Sequence, residues 1–307
     1  MQGSLPDTFF TEPPHFRWLI ILYFFIGGIS GGALLLAGLV RLFGRVEDRP
    51  FVRLASYLSL AGAVASGIIL IVDLGVPLRF WHMLVQSNTG LPMFKWWSPM
   101  SVGVWGLLFF GFFALLASLG MLAEEGRPGW RRFRFLAEPP VVTIGAIGGI
   151  IGGLFLAGYT GVLLAVTNRP VWADSTWLGL VFLLSAISTS IAALLLLARW
   201  RSVESPSTIA WLLGFDRIAL VLELIAIVIF VISLGGAIRA MLNVWGVLLL
   251  VGVIGIGILV PLLMQRGRAV HDFVLSATLV LVGGFLLRMV VLLSSEQVRV
   301  LGTQVLR

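Results

Sequence analysis

The sequence predicts an all-α integral membrane protein of eight transmembrane helices, built as two related four-helix bundles in parallel repeat. Three observations predict it. Hydrophobic residues make up 59% of the chain and charged ones 11%, whereas a soluble domain carries about 25% charge. Eight apolar runs have the length, roughly 20 residues, that a helix needs to cross a hydrocarbon core. Short motifs also recur in the same order in the two halves.

The runs are approximately 18–42, 54–75, 100–122, 141–166, 175–198, 213–236, 244–264 and 270–293. Residues 1–17 lack a basic region before the first run, and that run continues past Gly31-Gly32-Ala33, so they read as an N-terminal segment and not a cleavable signal. The first bundle takes 18–166 and includes a long connection, 75–99. That connection holds Pro77, Trp81, His82, Asn88-Thr89-Gly90, Pro92, Lys95, Trp96, Trp97 and Pro99. Its aromatic content places it in the membrane interface as an ordered lid. The 4–5 turn and the second bundle take 167–293, and 294–307 is a tail.

Basic residues set the orientation. Arg41, Arg45, Arg49 and Arg53 flank the 1–2 connection, and Arg127, Arg131, Arg132 and Arg134 the 3–4 connection. Arg199, Arg201 and Arg217 flank the 5–6 connection and Arg266 and Arg268 the 7–8, thirteen on that side in all. The other side has seven: Arg17, Arg79, Lys95, Arg169, Arg239, Arg299 and Arg307. Both termini and the lid are therefore expected on the outer side, the periplasm in a diderm bacterium. The formal charge of +7 thus orients helices and does not suggest nucleic acid.

The repeat rests on four matches. Ile29-Ser30 through Leu35 to Arg41 parallels Ile187-Ser188 through Leu195 to Arg199. Asp73-Leu-Gly-Val-Pro-Leu-Arg79 parallels Ser233-Leu-Gly-Gly-Ala-Ile-Arg239, Val104-Trp105-Gly106 parallels Val244-Trp245-Gly246, and Gly152-Gly153 parallels Gly283-Gly284. Helices 1 and 5 run the same way, so the repeat axis is normal to the membrane. The second half has Ser233 in place of Asp73 and no lid. It reads as a stripped copy.

Polar groups crowd the outer third. Tyr23 lies about a turn and a half into helix 1, Asp73 ends helix 2, and Arg79 and His82 follow in the lid. Tyr159 and Thr160 sit about 10 Å below the end of helix 4 at roughly 1.5 Å per residue. Asn168, Arg169, Trp172 and Asp174 form the 4–5 turn, and Arg288 lies near the outer end of helix 8. A quinone suits this set: its carbonyls need donors, its ring a flat apolar slot, its tail lipid access. Its two protons need a titratable neighbour, His82 or Asp73. The competing reading is interfacial Trp and Tyr belts, snorkelling Arg, and Asp73 capping its helix or paired with Arg79.

Glu223 falls near the middle of helix 6, and Asp216 two turns below it on the same face. A mid-membrane carboxylate costs a few kcal/mol if charged. The pair reads as the start of a proton path from the inner side, or as a Glu223 held by a nearby Ser, Thr or carbonyl. Absent cysteines exclude protein-ligated iron–sulfur clusters in this chain. Only His15, His82 and His271 exist, all at or beyond helix ends, which argues against bis-His haem. Gly27-Gly28, Gly31-Gly32, Gly148-Gly149 and Gly152-Gly153 lie inside apolar spans at small-xxx-small spacing, so they serve packing.

These residues carry a resemblance. Gly27-Gly28 with Gly31-Gly32, Asp73-Leu-Gly-Val-Pro-Leu-Arg-Phe-Trp81, Ser98-Pro-Met-Ser101 with Trp105, and Gly158-Tyr-Thr-Gly161 through Thr167-Asn-Arg-Pro-Val-Trp172 resemble the NrfD/polysulfide-reductase C-subunit family. The resemblance implies a bacterial inner-membrane subunit of two four-helix bundles that exchanges electrons with a bound quinone or menaquinone near the outer face. It implies docking against a ferredoxin-like subunit with four iron–sulfur clusters, which in turn serves a molybdopterin or multihaem catalytic subunit. Tyr159 matches a family tyrosine implicated at the quinone. Tyr23 stands where the polysulfide-reductase member has a histidine. An eight-helix transporter and a purely structural anchor are the rival readings.

Overall fold

The structure, a computed structural model, describes residues 18–126, 129–167, 169–203, 206–265 and 273–305. The segment 1–17, Asn168, His15, His271, Arg266 and Arg268 lie outside the described residues.

The described chain is helical, apart from an isolated antiparallel bridge between Val85 and Pro92 in the lid. The long helices are α1 (Trp18–Phe43), α2 (Arg49–Asp73), α3 (Pro99–Glu124) and α4 (Val141–Ala165). They are followed by α5 (Leu178–Trp200), α6 (Pro206–Ser233), α7 (Val244–Met264) and α8 (Phe273–Val305). Proline at the first turn lets α2 start at Arg49, ahead of its apolar run, because the missing N–H there costs no hydrogen bond. Ser98 caps α3 by accepting from the Ser101 amide at 3.4 Å, and Asn243 caps α7 by accepting from the Trp245 amide at 2.8 Å. The middle of α7, Leu248–Leu259, is wound as a π-helix. α8 continues beyond the apolar run as helix to Val305.

Seven helices among the described residues are long and apolar enough to cross a membrane: α1, α2, α3, α4, α5, α7 and α8. The protein is an integral membrane protein. α6 is 28 residues long but carries Asp216, Arg217 and Glu223, and it is not one of the seven.

α1 packs on α2 and α4, and α3 packs on both of those. α5 packs on α6 and α8, α7 lies against α8, and α1 and α5 join the two groups. Small residues make this possible. A Cβ on Gly31 would lie 2.9 Å from the Gly153 carbonyl oxygen, so α1 and α4 meet backbone to backbone. At the end opposite the lid, Glu124 holds Arg41 and, at 3.5 Å, Arg49, while Glu125 holds Arg53 at 3.1 Å.

Candidate functional site

The lid is an ordered structure. A short 3₁₀ turn, Pro77–Met83, leads into a hairpin closed by Gln86 N–H to Leu91 O at 2.9 Å and Met93 N–H to Leu84 O at 2.7 Å. The Trp105 indole on α3 donates to Met93 O at 3.0 Å, and the Lys95 amide donates to Ser101 Oγ at 3.0 Å. Both bonds tie the lid to the start of α3. Between lid and helix lies an open cleft of about 400 Å³, lined by Leu74, Val76, Arg79, His82, Met83, Met93, Lys95, Ser98, Met100 and Ser101. His82 stacks on Trp81 with ring centroids 3.8 Å apart. Arg79, His82, Lys95 and Ser101 give the cleft donors, and methionines give it apolar walls.

Tyr159 approaches the same point from below. Its O–H donates to Pro99 O at 2.5 Å, one residue from the cleft-lining Ser98 and Met100, and its oxygen lies against the Gly103 amide. Its ring stacks on Phe155 at 5.1 Å. Gly103 has to be glycine, because a Cβ there would fall on the Tyr159 ring. Tyr23 is buried on α1, close enough to Tyr159 for the two phenols to interact electrostatically. Ser66 on α2 adds a buried hydroxyl with no hydrogen-bond partner among the described residues. Its oxygen lies 3.5 Å from where a Gly27 Cβ would be, and the Tyr23 ring lies 3.6 Å from that point. Counting from the helix ends at roughly 1.5 Å per residue, Tyr23, Ser66 and Tyr159 share one depth, about 8–10 Å in. Thr160 is buried beside Tyr159 on α4.

Asp73 closes α2, half-buried, at the end where the helix dipole disfavours a carboxylate. It makes no ion pair with Arg79 or with any other described residue, so the pairing considered from sequence is not made.

The 4–5 turn points elsewhere. Trp172 is fully buried and donates from its indole to Val291 O on α8 at 2.7 Å. Arg169 is 4% exposed, lies over Trp172 at 5.1 Å and donates to Ser295 Oγ at 3.4 Å. Asp174 accepts the Val171 amide at 2.9 Å and so holds Val171, a β-branched residue, at φ 72° in the left-handed region. These side chains fasten the turn to α8 and do not line the lid cleft.

A second polar cluster is sealed among α1, α5, α6 and α8. Arg288, 1% exposed, donates to Phe24 O at 3.1 Å, Gly284 O at 2.7 Å and Ser185 Oγ at 3.2 Å. Its guanidinium lies between the Phe25 and Phe182 rings, at 5.7 and 5.6 Å. Glu223 accepts from Ser188 Oγ at 2.7 Å and feels the charge of Arg288. Lower on α6, Asp216 accepts from the Gln265 side chain at 2.7 Å, and Gln265 also reaches Ser276.

The structure therefore divides the candidates into three groups. Tyr23 and Tyr159 come together, beside a cleft that includes Arg79 and His82. Arg169 and Trp172 belong to the 4–5 anchor, and Arg288 joins Glu223. Sequence reasoning missed Ser66, Ser185, Ser188 and Gln265, since single serines and a helix-end glutamine leave no periodic signal. Among the described residues no cluster of three metal-ligating side chains exists.

The family model described as polysulphide reductase, NrfD matches residues 7–300. The C chain of polysulfide reductase from Wolinella succinogenes is 27% identical across 91% of this protein and 94% of its own length. An NrfD homolog of Haemophilus influenzae is 27% identical across 96% and 99%. The C subunit of selenate reductase from Mesobacillus selenatarsenatis is 29% identical across 35% of this protein and 23% of its own length.

Proposed function

The chain belongs to the polysulphide reductase NrfD family, and on that premise we propose that it is the quinone-reactive membrane subunit of a respiratory oxidoreductase complex. The observation that carries the reading is the Tyr159 hydroxyl, fixed on Pro99 O between two residues, Ser98 and Met100, that line a cleft presenting Arg79, His82 and Lys95. The quinone, when bound, supplies two-electron, two-proton redox chemistry. Tyr159 has its proton directed to Pro99 O, so its oxygen offers a lone pair to a quinol hydroxyl. The unpartnered Ser66 hydroxyl and the Tyr23 phenol flank the same level. Arg79, His82 and Lys95 stand as donors to a carbonyl, and Asp73, without an ion pair among the described residues, takes and returns the protons. Thr160 is buried next to Tyr159 on the same helix, while the 4–5 turn, through Arg169 and Trp172, anchors to α8 and stays out of the site.

Electrons pass to or from an iron–sulfur partner seated on the lid side. The exposed Trp96, Trp97, Phe94 and Leu91 give that partner an apolar surface. The finer architecture belongs to the same proposal. α6 is the eighth span, helices 1–4 and 5–8 are copies of one unit, and both termini face outward from a bacterial inner membrane. Asp216 and Glu223 begin a proton path from the inner end, continued by Ser188, Ser185 and Arg288.

Quinol-linked turnover of the intact complex tests the site. Tyr159→Phe is expected to lower it by about 10- to 100-fold, a barrier change of roughly 1.4–2.7 kcal/mol, with the complex still assembled. Wild-type turnover in that variant removes Tyr159 from the site. For Glu223→Gln, intact quinone chemistry with lost proton uptake from the inner side supports the path. Unchanged proton uptake leaves Glu223 as a counter-ion of Arg288. Binding of a quinone analogue to the purified complex separates this function from a mute anchor.

A further inference from the structure

At the end of the first four helices opposite Tyr159, two openings meet. One is a cleft of about 200 Å³ whose polar lining is three guanidinium groups, Arg41, Arg45 and Arg49, with no carboxylate among its lining residues. The other is a narrow apolar slot between α1, α3 and α4, walled by Leu34, Gly38, Ala117, Gly120, Gly145 and Gly149. Arg41, Val52 and Val142 line both, so the charged cleft opens directly into the slot. From Arg41 down to Leu34 the slot extends about 10 Å at roughly 1.5 Å per residue.

Charge at this mouth is unbalanced. Glu124 serves both Arg41 and Arg49, and Arg45 makes no ion pair among the described residues. Asp48, three residues from Arg45, lines a neighbouring opening and not this cleft. Its Oδ2 accepts the Arg45 amide at 2.9 Å and its Oδ1 the Thr208 hydroxyl at 2.6 Å. A cationic cup opening into an apolar slot complements one molecule class, an anionic head on a hydrocarbon tail.

We propose that this is a binding site for an anionic phospholipid. The phosphate sits among Arg41, Arg45 and Arg49, and one acyl tail runs down the slot between α1, α3 and α4. Arginine suits the headgroup because its planar fork bonds two phosphate oxygens at once. The slot suits the acyl tail because its walls are almost wholly apolar and it runs inward from Arg41 along α1. The site is separate from the Tyr159 region and does not depend on what binds there.

The test uses the full-length protein, delipidated in neutral detergent and followed by native mass spectrometry. Dioleoyl-phosphatidylglycerol and dioleoyl-phosphatidylcholine are added in parallel, with inorganic phosphate as a third arm. One phosphatidylglycerol is expected to stay bound about tenfold more tightly than phosphatidylcholine, with the preference weakening as salt rises. Arg45→Gln, a change at an exposed side chain, is expected to abolish that preference. Ala117→Leu, which fills the slot, is expected to lower retention of both lipids. Equal retention of the two lipids by the wild-type protein, or a phosphatidylglycerol adduct indifferent to Arg45→Gln, overturns the proposal. Inorganic phosphate that displaces phosphatidylglycerol at equal concentration also overturns it, since the acyl tail would then contribute nothing.

Discussion

In the first four helices Ser30 on α1 donates to Ser59 O on α2 at 2.7 Å; in the last four, Ser188 on α5 donates to Glu223 on α6, also at 2.7 Å. The α1–α4 contact is Gly31 against Gly153, and the α5–α8 contact is Thr189 against Gly284. These two pairs of contacts are alike, yet the polar groups are put to opposite uses. In the first group Tyr159 bonds to Pro99 O, one residue from an open cleft, whereas in the last group Arg288 and Glu223 are buried at 1% and 3% exposure and bonded to Ser185 and Ser188 of α5. A pair of tryptophans makes the contrast sharper. The Trp105 indole finds Met93 O in the lid, while Trp245, its counterpart in sequence, has a buried N–H with no partner among the described residues. One helical scaffold thus holds one polar cluster next to an opening and seals another. The two halves differ in the lid and in the third helix of each, which is α-helical in α3 and π-wound through the middle of α7.

The largest test of that comparison is Arg288→Met. Arg288 is buried with three hydrogen bonds and, among the described residues, no direct ion pair to Glu223; losing these bonds costs about 3 kcal/mol, and the thermal unfolding temperature in detergent should fall sharply. Adding Glu223→Gln should restore much of the loss, and a single variant as stable as wild type would dissolve the sealed cluster as a structural unit. Gly103→Ala acts on the open half. The added methyl displaces the Tyr159 ring, so turnover should fall as far as in Tyr159→Phe, while quinol-independent unfolding moves by about 1–3 kcal/mol. The smallest effects separate the tryptophans. Trp105→Phe should loosen the lid by about 1 kcal/mol, read as faster proteolysis or hydrogen exchange at 84–97. Trp245→Phe removes a donor with no partner among the described residues, and stability should stay level or rise. Equal losses at the two sites would erase the distinction.

Much of this is legible in sequence, for physical reasons. Apolar runs near membrane thickness report the helices, and the run at 244–264 coincides with α7. The starts of α2 and α6 are less legible, since Pro50 and Pro206 carry helix into polar stretches where hydropathy has faded. The ordered lid and the nearness of Tyr159 to it follow from the crowding of polar residues at one depth. The partners do not. Arg288 bonds to a carbonyl on α1 264 positions away, and backbone acceptors have no sequence signature. Nor does composition reveal that Arg169 and Trp172 turn toward α8, because a turn at an interface can face either way until its neighbours are placed.

The touching backbones of Gly31 and Gly153 carry one more consequence. With no side chain between them, the relative rotation of these two rods has no slack, and the spacing between the phenols they bear is set by peptide geometry. Tuning toward a different ligand in related proteins would then fall on the hairpin overhead, leaving the rods as they are.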